Sequence, residues 1–120
     1  MRIFIADDSL GFGTLAAAWL EQYDDLQVVG TARSAREALE NVVAAAPDVL
    51  LLDRLLPQPE HSEHVLAHVR EHLPATKVVL VSGMSDGELA GEAQRTGADG
   101  HVSKAANAET LARAVRSAMR

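Results

Sequence analysis

Residues 48–52, DVLLL, contain a continuous apolar run and lead directly into the carboxylate of Asp53. A strand with one solvated face alternates apolar and polar residues, whereas a continuous run is typical of a parallel strand covered on both faces. Other runs rich in Val, Ile and Leu lie at 2–6, 27–32 and 77–81, with a weaker one at 100–102. The sequence therefore predicts five parallel strands.

Longer segments between these strands have the pattern of amphipathic helices, with apolar positions three and four residues apart. They are 13–23, 34–46, 63–73, 86–97 and 108–119. Ser34 is a candidate N-cap with Glu37 as its capping-box partner, and Gly97 is a candidate C-cap. Five β-α units in succession predict an α/β fold, a flavodoxin-like (βα)5 doubly wound parallel sheet with strand order 2-1-3-4-5.

Composition narrows the class of protein. The 120 residues suit one domain, 1–120, and the absence of cysteine excludes disulfides and thiolate metal sites. A net charge of −6 disfavours nucleic-acid binding by this domain alone. No apolar run approaches the roughly 18 residues of a membrane span, and Met1 and Arg2 lead straight into a strand without a signal peptide. We therefore expect a cytoplasmic protein with no membrane contact.

Polar residues follow the predicted strands at the edge where sites form in open α/β sheets. Asp7 and Asp8 follow the first strand and Asp53 the third, while Ser82 and Lys104 follow the fourth and fifth. The first and third strands are neighbours in the predicted order, so the three carboxylates should converge. Like charges this close require a cation, and oxygen ligands suit Mg²⁺.

Phosphoryl transfer can be carried out by a metal ion, a carboxylate, a lysine and a hydroxyl that lie together. Asp53 would be the nucleophile and form an aspartyl phosphate, while the metal and Lys104 neutralise the transferred group. Taken singly, each residue has an ordinary interpretation: Asp7, Asp8 or Ser9 as a helix cap, and Lys104 as a solvated side chain. Their joint occurrence at successive strand ends favours the chemical interpretation.

Four motifs occur in order at these strand ends: ADD (6–8), LLLDRLLP (50–57), LVSG (80–83) and GADGHVSK (97–104). Over its whole length the chain resembles the receiver domain of bacterial two-component response regulators, a CheY-like fold. The segments VVGTARSAREAL (28–39) and APDVLLLD (46–53) resemble the NarL/LuxR type, which carries a C-terminal helix-turn-helix output domain. The resemblance implies that 1–120 is the N-terminal part of a longer regulator or a stand-alone receiver.

The resemblance also implies roles for particular residues. Asp53 would accept a phosphoryl group from a sensor histidine kinase. Asp8, Asp53 and the backbone carbonyl of Leu55 would ligate Mg²⁺, with Asp7 acting through water.

The resemblance also assigns three residues to the response that follows phosphorylation. Ser82 matches the switch hydroxyl, Lys104 the lysine of the family, and His101 the position of a ring that swings between inward and outward rotamers. Phosphorylation would then change the surface of the fourth helix, fifth strand and fifth helix. The output would be transcription, through self-association as a homodimer or through release of an attached domain.

The chain departs from the family pattern at two places. Ala105 follows Lys104 where the family often has proline, so the cis bond common there is not expected. Glu60 and His61 occupy the positions of an acidic residue or Asn followed by Gly, and Pro59 stiffens the same loop. We therefore expect an altered loop over residues 56–62.

Four histidines, His61, His64, His68 and His72, lie 3, 4 and 4 residues apart. At about 100° per residue they fall within roughly an 80° arc of one helix. Pairs at i, i+4 can chelate zinc or nickel, but a closed zinc site needs further ligands. A solvated polar border of the helix is the interpretation we favour over a metal site or pH sensing.

Two other functions compete with a phosphorylation switch. An enzyme that turns over an aspartyl phosphate usually has a second catalytic Asp just after the nucleophile, whereas Arg54 and Leu55 follow Asp53 here, and there is no room for a cap domain. A module that only mediates interactions would not need the complete set of polar strand-end residues. We expect no enzyme activity beyond self-catalysed phosphotransfer and autodephosphorylation.

Overall fold

Strands and helices alternate along the chain in the computed structural model, which describes residues 1–56 and 59–120. The strands are β1 (Arg2–Ala6), β2 (Gln27–Ala32), β3 (Val49–Asp53), β4 (Lys77–Ser82) and β5 (Gly100–Ser103). The helices are α1 (Leu10–Leu20), α2 (Ala35–Ala45), α3 (Pro59–His72), α4 (Asp86–Thr96) and α5 (Ala108–Ala118). All strand pairs are parallel and the order is β2-β1-β3-β4-β5, which confirms the predicted fold.

The continuous apolar run of β3 is explained by two cores, one on each face of the sheet. Leu50 and Leu52 pack into the core beneath α2, α3 and α4, whereas Val49 and Leu51 pack into the core beneath α1 and α5. Successive side chains of a strand point to opposite faces, so both sets must be apolar. Every residue of β3 is buried, and β3 is the central strand, so it ends at the centre of the sheet edge.

Helix α1 begins earlier than the periodicity predicts, at Leu10 rather than at 13. Ser9 is its N-cap, and the Ser9 hydroxyl accepts a hydrogen bond from the Phe12 amide at 3.4 Å. Helix α3 also begins earlier, at Pro59 rather than at 63, and a first-turn position suits proline because its missing N–H would have no helical partner.

Of the altered loop that we expected over residues 56–62, residues 59–62 are instead helical. His61 belongs to the first turn of α3 instead of a separate turn. Residues 57 and 58, including the proline that ends the second motif, lie outside the described residues.

The predicted caps of α2 and α4 are present. The Ser34 hydroxyl accepts a hydrogen bond from the Glu37 amide at 3.1 Å. The Glu37 carboxylate accepts from the Arg33 amide at 2.8 Å, one residue earlier than in the usual capping box. Gly97 ends α4 with φ of 77°, a left-handed conformation that glycine adopts without steric penalty. Among the described residues, no helix is long and apolar enough to cross a membrane.

Candidate functional site

Three carboxylates meet at the carboxyl edge of the sheet, as the sequence predicts. Asp7 and Asp8 follow β1 and Asp53 ends β3, and these strands are paired so that Ala6 lies opposite Leu52. One oxygen from each carboxylate lies within 4.8 Å of the others. Asp7 and Asp53 are buried and Asp8 is exposed, so the cluster opens to solvent on the Asp8 side.

Lys104 reaches into this cluster from the end of β5. Its ammonium lies 2.9 Å from Oδ2 of Asp7 and 3.4 Å from Oδ2 of Asp53. Burial disfavours the charged form, but the ion pairs with Asp7 and Asp53 outweigh it and raise the pKa of Lys104 above its ordinary value. Lys104 is therefore a cation at neutral pH, and it neutralises one of three nearby negative charges.

Asp53 is buried at the end of β3, like Asp7 beside it. Its Oδ1 accepts a hydrogen bond from the Leu55 amide at 3.1 Å, which stabilises the ionised form. Burial acts in the opposite direction and, together with the charge of Asp7, raises the pKa of Asp53 to about 6. The Asp53 carboxylate is thus ionised at neutral pH but poorly compensated.

Asp7 leaves one oxygen without an aligned donor. Its Oδ1 accepts from the Ser9 amide at 2.6 Å, whereas the buried Oδ2 has no hydrogen bond among the described residues and lies in an ion pair with Lys104. Buried carboxylate oxygens of this kind are stabilised by a coordinated cation. The three carboxylates offer oxygen ligands, and the one ammonium beside them balances only part of their charge, so the cluster fits a hard divalent cation.

Ser82 lies on the neighbouring strand β4, whose Val81 pairs with Asp53. Its buried hydroxyl accepts a hydrogen bond from the Met84 amide at 3.2 Å, so it is held at the start of the connection to α4. His101 is half-buried on β5 and borders a groove of about 800 Å³ together with Met84. The residues predicted as a switch pair therefore lie on neighbouring strands.

Two residues near Asp53 were not assigned a role from the sequence. The Ser62 hydroxyl, buried in α3, donates to the backbone carbonyl of Asp53 at 2.5 Å and accepts from the Leu56 amide at 2.8 Å. The Arg54 side chain is also buried and pairs with Glu92 of α4. A serine in an amphipathic helix and an arginine after a strand have no distinctive spacing, so no sequence pattern indicated these contacts.

Among the described residues, the histidine stripe of α3 does not form a group of three or more potential metal ligands. The rings of His68 and His72 lie 4.4 Å apart between centroids, while His61 borders a separate cavity beside α2. Within 1–56 and 59–120, the one group of three or more potential ligands is Asp7, Asp8 and Asp53. The solvated polar border of the helix stays a prediction.

Comparison with known protein families gives a match to the family model described as the response regulator receiver domain. The match covers residues 3–116. The chain belongs to the response regulator receiver domain family. Receiver domains are the phosphorylation-dependent switches of two-component systems, and histidine kinases are their partners. The resemblance inferred from the four motifs is thereby confirmed.

Named relatives and solved structures support the assignment to the NarL/LuxR type. This receiver domain is 35% identical over 120 residues to oxygen regulatory protein NreC of Staphylococcus carnosus, covering all of this chain and 55% of that protein. It thus spans about half the length of the curated relatives it matches. The signal receiver domain of the response regulator NarL from Mycobacterium tuberculosis is similar, with a TM-score of 0.83, 30% identity and coverage of 96% and 92% of the two chains.

A further similar structure comes from a signalling complex. It is a chain from the complex of the P1 domain of CheA3 with CheY6 from R. sphaeroides, with a TM-score of 0.87 and 27% identity. The match covers 98% of this receiver domain and 95% of that chain.

Proposed function

We propose that this receiver domain accepts a phosphoryl group on Asp53 from a sensor histidine kinase, in a reaction that requires Mg²⁺. The observation that supports this most directly is the convergence of Asp7, Asp8 and Asp53 within 4.8 Å, with the Lys104 ammonium beside them. This arrangement provides both a nucleophile and positive charge at one place, which is what phosphoryl transfer demands of a protein.

In the proposed reaction a carboxylate oxygen of Asp53 attacks the phosphorus atom of the donor. A P–N bond of phosphohistidine breaks as the P–O bond forms, and the leaving imidazole takes up a proton. The backbone amide of Leu55, 3.1 Å from Oδ1 of Asp53, orients the carboxylate for attack. Lys104 stabilises negative charge on the phosphoryl oxygens, and Ser82 donates its hydroxyl to one of them.

The side chains of Asp8 and Asp53 and the backbone carbonyl of Leu55 would hold Mg²⁺, with Asp7 acting through a bound water. When bound there, the ion would supply positive charge that neutralises the transferred phosphoryl group. Asp8 is the exposed member of the cluster, so its carboxylate is accessible from solvent.

Labelling by a small phosphoryl donor tests the assignment. Incubation with acetyl phosphate and Mg²⁺ should add one phosphate, detected by intact mass spectrometry, and omission of Mg²⁺ should abolish the gain. The variant Asp53→Asn keeps the shape of the side chain and should not be labelled. Equal labelling of that variant would show that another residue is the acceptor.

We also propose that the output is control of transcription through a helix-turn-helix domain. The chain spans about half of NreC, and its NarL/LuxR-type segments suit a receiver joined to such a domain. The coding sequence beyond residue 120 tests this: about fifty further codons should encode a helix-turn-helix. Sedimentation of the receiver before and after phosphorylation tests whether it acts as a homodimer.

A further inference from the structure

Arg54, the residue after the proposed phosphoacceptor, connects β3 to α4. Its guanidinium donates through Nε to Oε2 of Glu92 at 2.8 Å, and its Nη2 lies 2.8 Å from the same oxygen and 3.7 Å from Glu63 of α3. Arg95 completes the group, because its Nη2 lies 2.7 Å from both Glu63 and Glu92. We call these four residues the α3–α4 clasp.

The clasp contains a charge that requires compensation. The Arg54 side chain is 7% exposed, and its Nη1 is buried without a hydrogen-bond partner among the described residues. A buried guanidinium is strongly unfavourable unless a carboxylate stays beside it. Glu92 provides the short contact, and the guanidinium groups of Arg95 and Arg54 hold the pKa of Glu92 below its usual range. Arg54 therefore depends on the position of α4.

Apolar packing alone attaches α4 weakly. Of its described residues, only Leu89 and Ala93 are buried, and both belong to the core beneath α2, α3 and α4. A helix anchored by one leucine and one alanine gains little from the hydrophobic effect compared with its neighbours. The contact between Arg54 and Glu92 thus adds a polar anchor to a helix with two buried apolar side chains.

A continuous path of contacts joins the clasp to the proposed switch. The Arg54 amide donates to the Val81 carbonyl at 2.8 Å, and Ser82 is the next residue of β4. The Ser82 hydroxyl accepts from the Met84 amide, and Ser85 caps α4 by accepting from the Glu88 amide at 3.3 Å. A displacement of Ser82 toward Asp53 would therefore pull on the start of the same helix that Arg54 holds through Glu92.

We propose that Arg54 is a positioning residue that, through Glu92, holds α4 in its unphosphorylated arrangement and so sets how readily Asp53 is phosphorylated. This inference rests on the proposed function. A contact that favours the unphosphorylated arrangement must, by thermodynamic linkage, oppose phosphorylation to the same extent. Breaking the clasp should loosen α4 and make Asp53 easier to phosphorylate.

Two measurements on three variants test the clasp. Glu92→Gln removes the negative charge, and Arg54→Met removes the buried cation while keeping an apolar side chain of similar length. Glu40→Gln is the matched control, because it breaks the exposed pair between Arg36 and Glu40, at 3.0 Å on α2. Hydrogen exchange of residues 86–96 in the unphosphorylated protein reports on α4, and labelling by acetyl phosphate reports on coupling.

We expect exchange of α4 and initial labelling to be faster by about fivefold or more in Glu92→Gln and Arg54→Met, with Glu40→Gln equal to the parent. Unchanged α4 exchange in both variants would overturn the clasp. Faster hydrogen exchange of α4 with an unchanged rate of labelling by acetyl phosphate would show that the clasp is not coupled to Asp53. Absence of labelling in the parent protein would instead contradict the proposed function, and α4 exchange would still decide whether the clasp holds the helix.

Discussion

The Lys104 ammonium lies closer to Asp7, at 2.9 Å, than to Asp53, at 3.4 Å. The lysine therefore pairs with both the proposed acceptor and the carboxylate that flanks it, and its shorter contact is with the flanking carboxylate. Its position between the two carboxylates puts a cation within reach of a phosphoryl group on Asp53. Lys104 is suited to respond to phosphorylation more than to bind the metal.

Lys104→Ala should consequently still bind Mg²⁺ but lose the conformational change that follows phosphorylation. Titration of Mg²⁺ by calorimetry measures the first property, and hydrogen exchange of α4 with and without acetyl phosphate measures the second. Lys104→Arg should not restore switching fully, because a planar guanidinium does not replace a compact ammonium. Normal switching by Lys104→Ala would show that another residue senses the phosphoryl group.

Convergence of the acidic cluster was predictable because it follows from the fold alone. Continuous apolar runs indicated parallel strands, the strand order made β1 and β3 neighbours, and parallel strands bring their carboxyl ends to one edge. Asp7, Asp8 and Asp53 come together for that reason, whichever rotamers they adopt.

The strand order does not predict which side chains on different strands and helices contact one another. The preference of Lys104 for Asp7, and the pairing of Arg54 with Glu92, depend on rotamers and on the distance between packed helices. The starts of α1 and α3 were misjudged because a serine cap and a first-turn proline override the apolar periodicity.

The raised pKa of Asp53 predicts how stability depends on pH without Mg²⁺. Its pKa of about 6 lies above the value of 3.8 for an unburied carboxyl, so between these values the folded state binds more protons than the unfolded state. The free energy of unfolding should therefore fall as pH rises through about 6, by at most about 3 kcal/mol from this group. Burial is the main cause, so Asp53→Asn should remove the effect.

Urea unfolding of the parent and of Asp53→Asn, from pH 4 to pH 8 with a chelator present, measures this difference. Subtracting the free energies of unfolding of the two proteins cancels the contributions of carboxyls that both share. One of these is Asp25, whose pKa is lowered by its ion pair with Arg116 and whose contribution to stability therefore has the opposite pH dependence. Addition of Mg²⁺ at pH 7 should stabilise the parent more than the variant. A difference between the two proteins that does not change with pH would contradict the account of Asp53.

Gly30 on β2 should not tolerate a side chain. A Cβ atom there would lie 2.7 Å from Cε2 and 2.9 Å from Cδ2 of Phe4, whose ring is 1% exposed and fixed in the core. The pairing of β1 with β2 shifts register between Ile3 and Phe4, next to this contact. Gly30→Ala should therefore lower the free energy of unfolding by about 1–3 kcal/mol.

Gly91→Ala provides the matched control, since a Cβ atom at that helical position has no neighbour within 4 Å. Replacing a helical glycine by alanine should raise stability by about 1 kcal/mol. Chemical denaturation of both variants compares the two effects. A Gly30→Ala protein as stable as the parent would mean that Phe4 has room to move.

The lifetime of the phosphorylated state should be long because of two apolar residues near the proposed acceptor. Hydrolysis requires a water aligned for attack on phosphorus, and in receiver domains the residues two after the acceptor and two after the switch hydroxyl border that approach. Here they are Leu55, 43% exposed, and the half-buried Met84. Neither side chain forms strong hydrogen bonds, so neither positions the water, and both are bulky enough to screen it.

The double variant Leu55→Asn, Met84→Glu should lose phosphate faster than the parent, because both new side chains can hydrogen-bond a water near the phosphorus. Decay of the phosphorylated protein in Mg²⁺ after removal of the donor, followed by intact mass spectrometry, measures the rate. Leu55→Met with Met84→Leu is the matched control, since it keeps both positions apolar and similar in size, and its decay should equal that of the parent. Equal decay of all three proteins would show that water positioning at these residues does not set the lifetime.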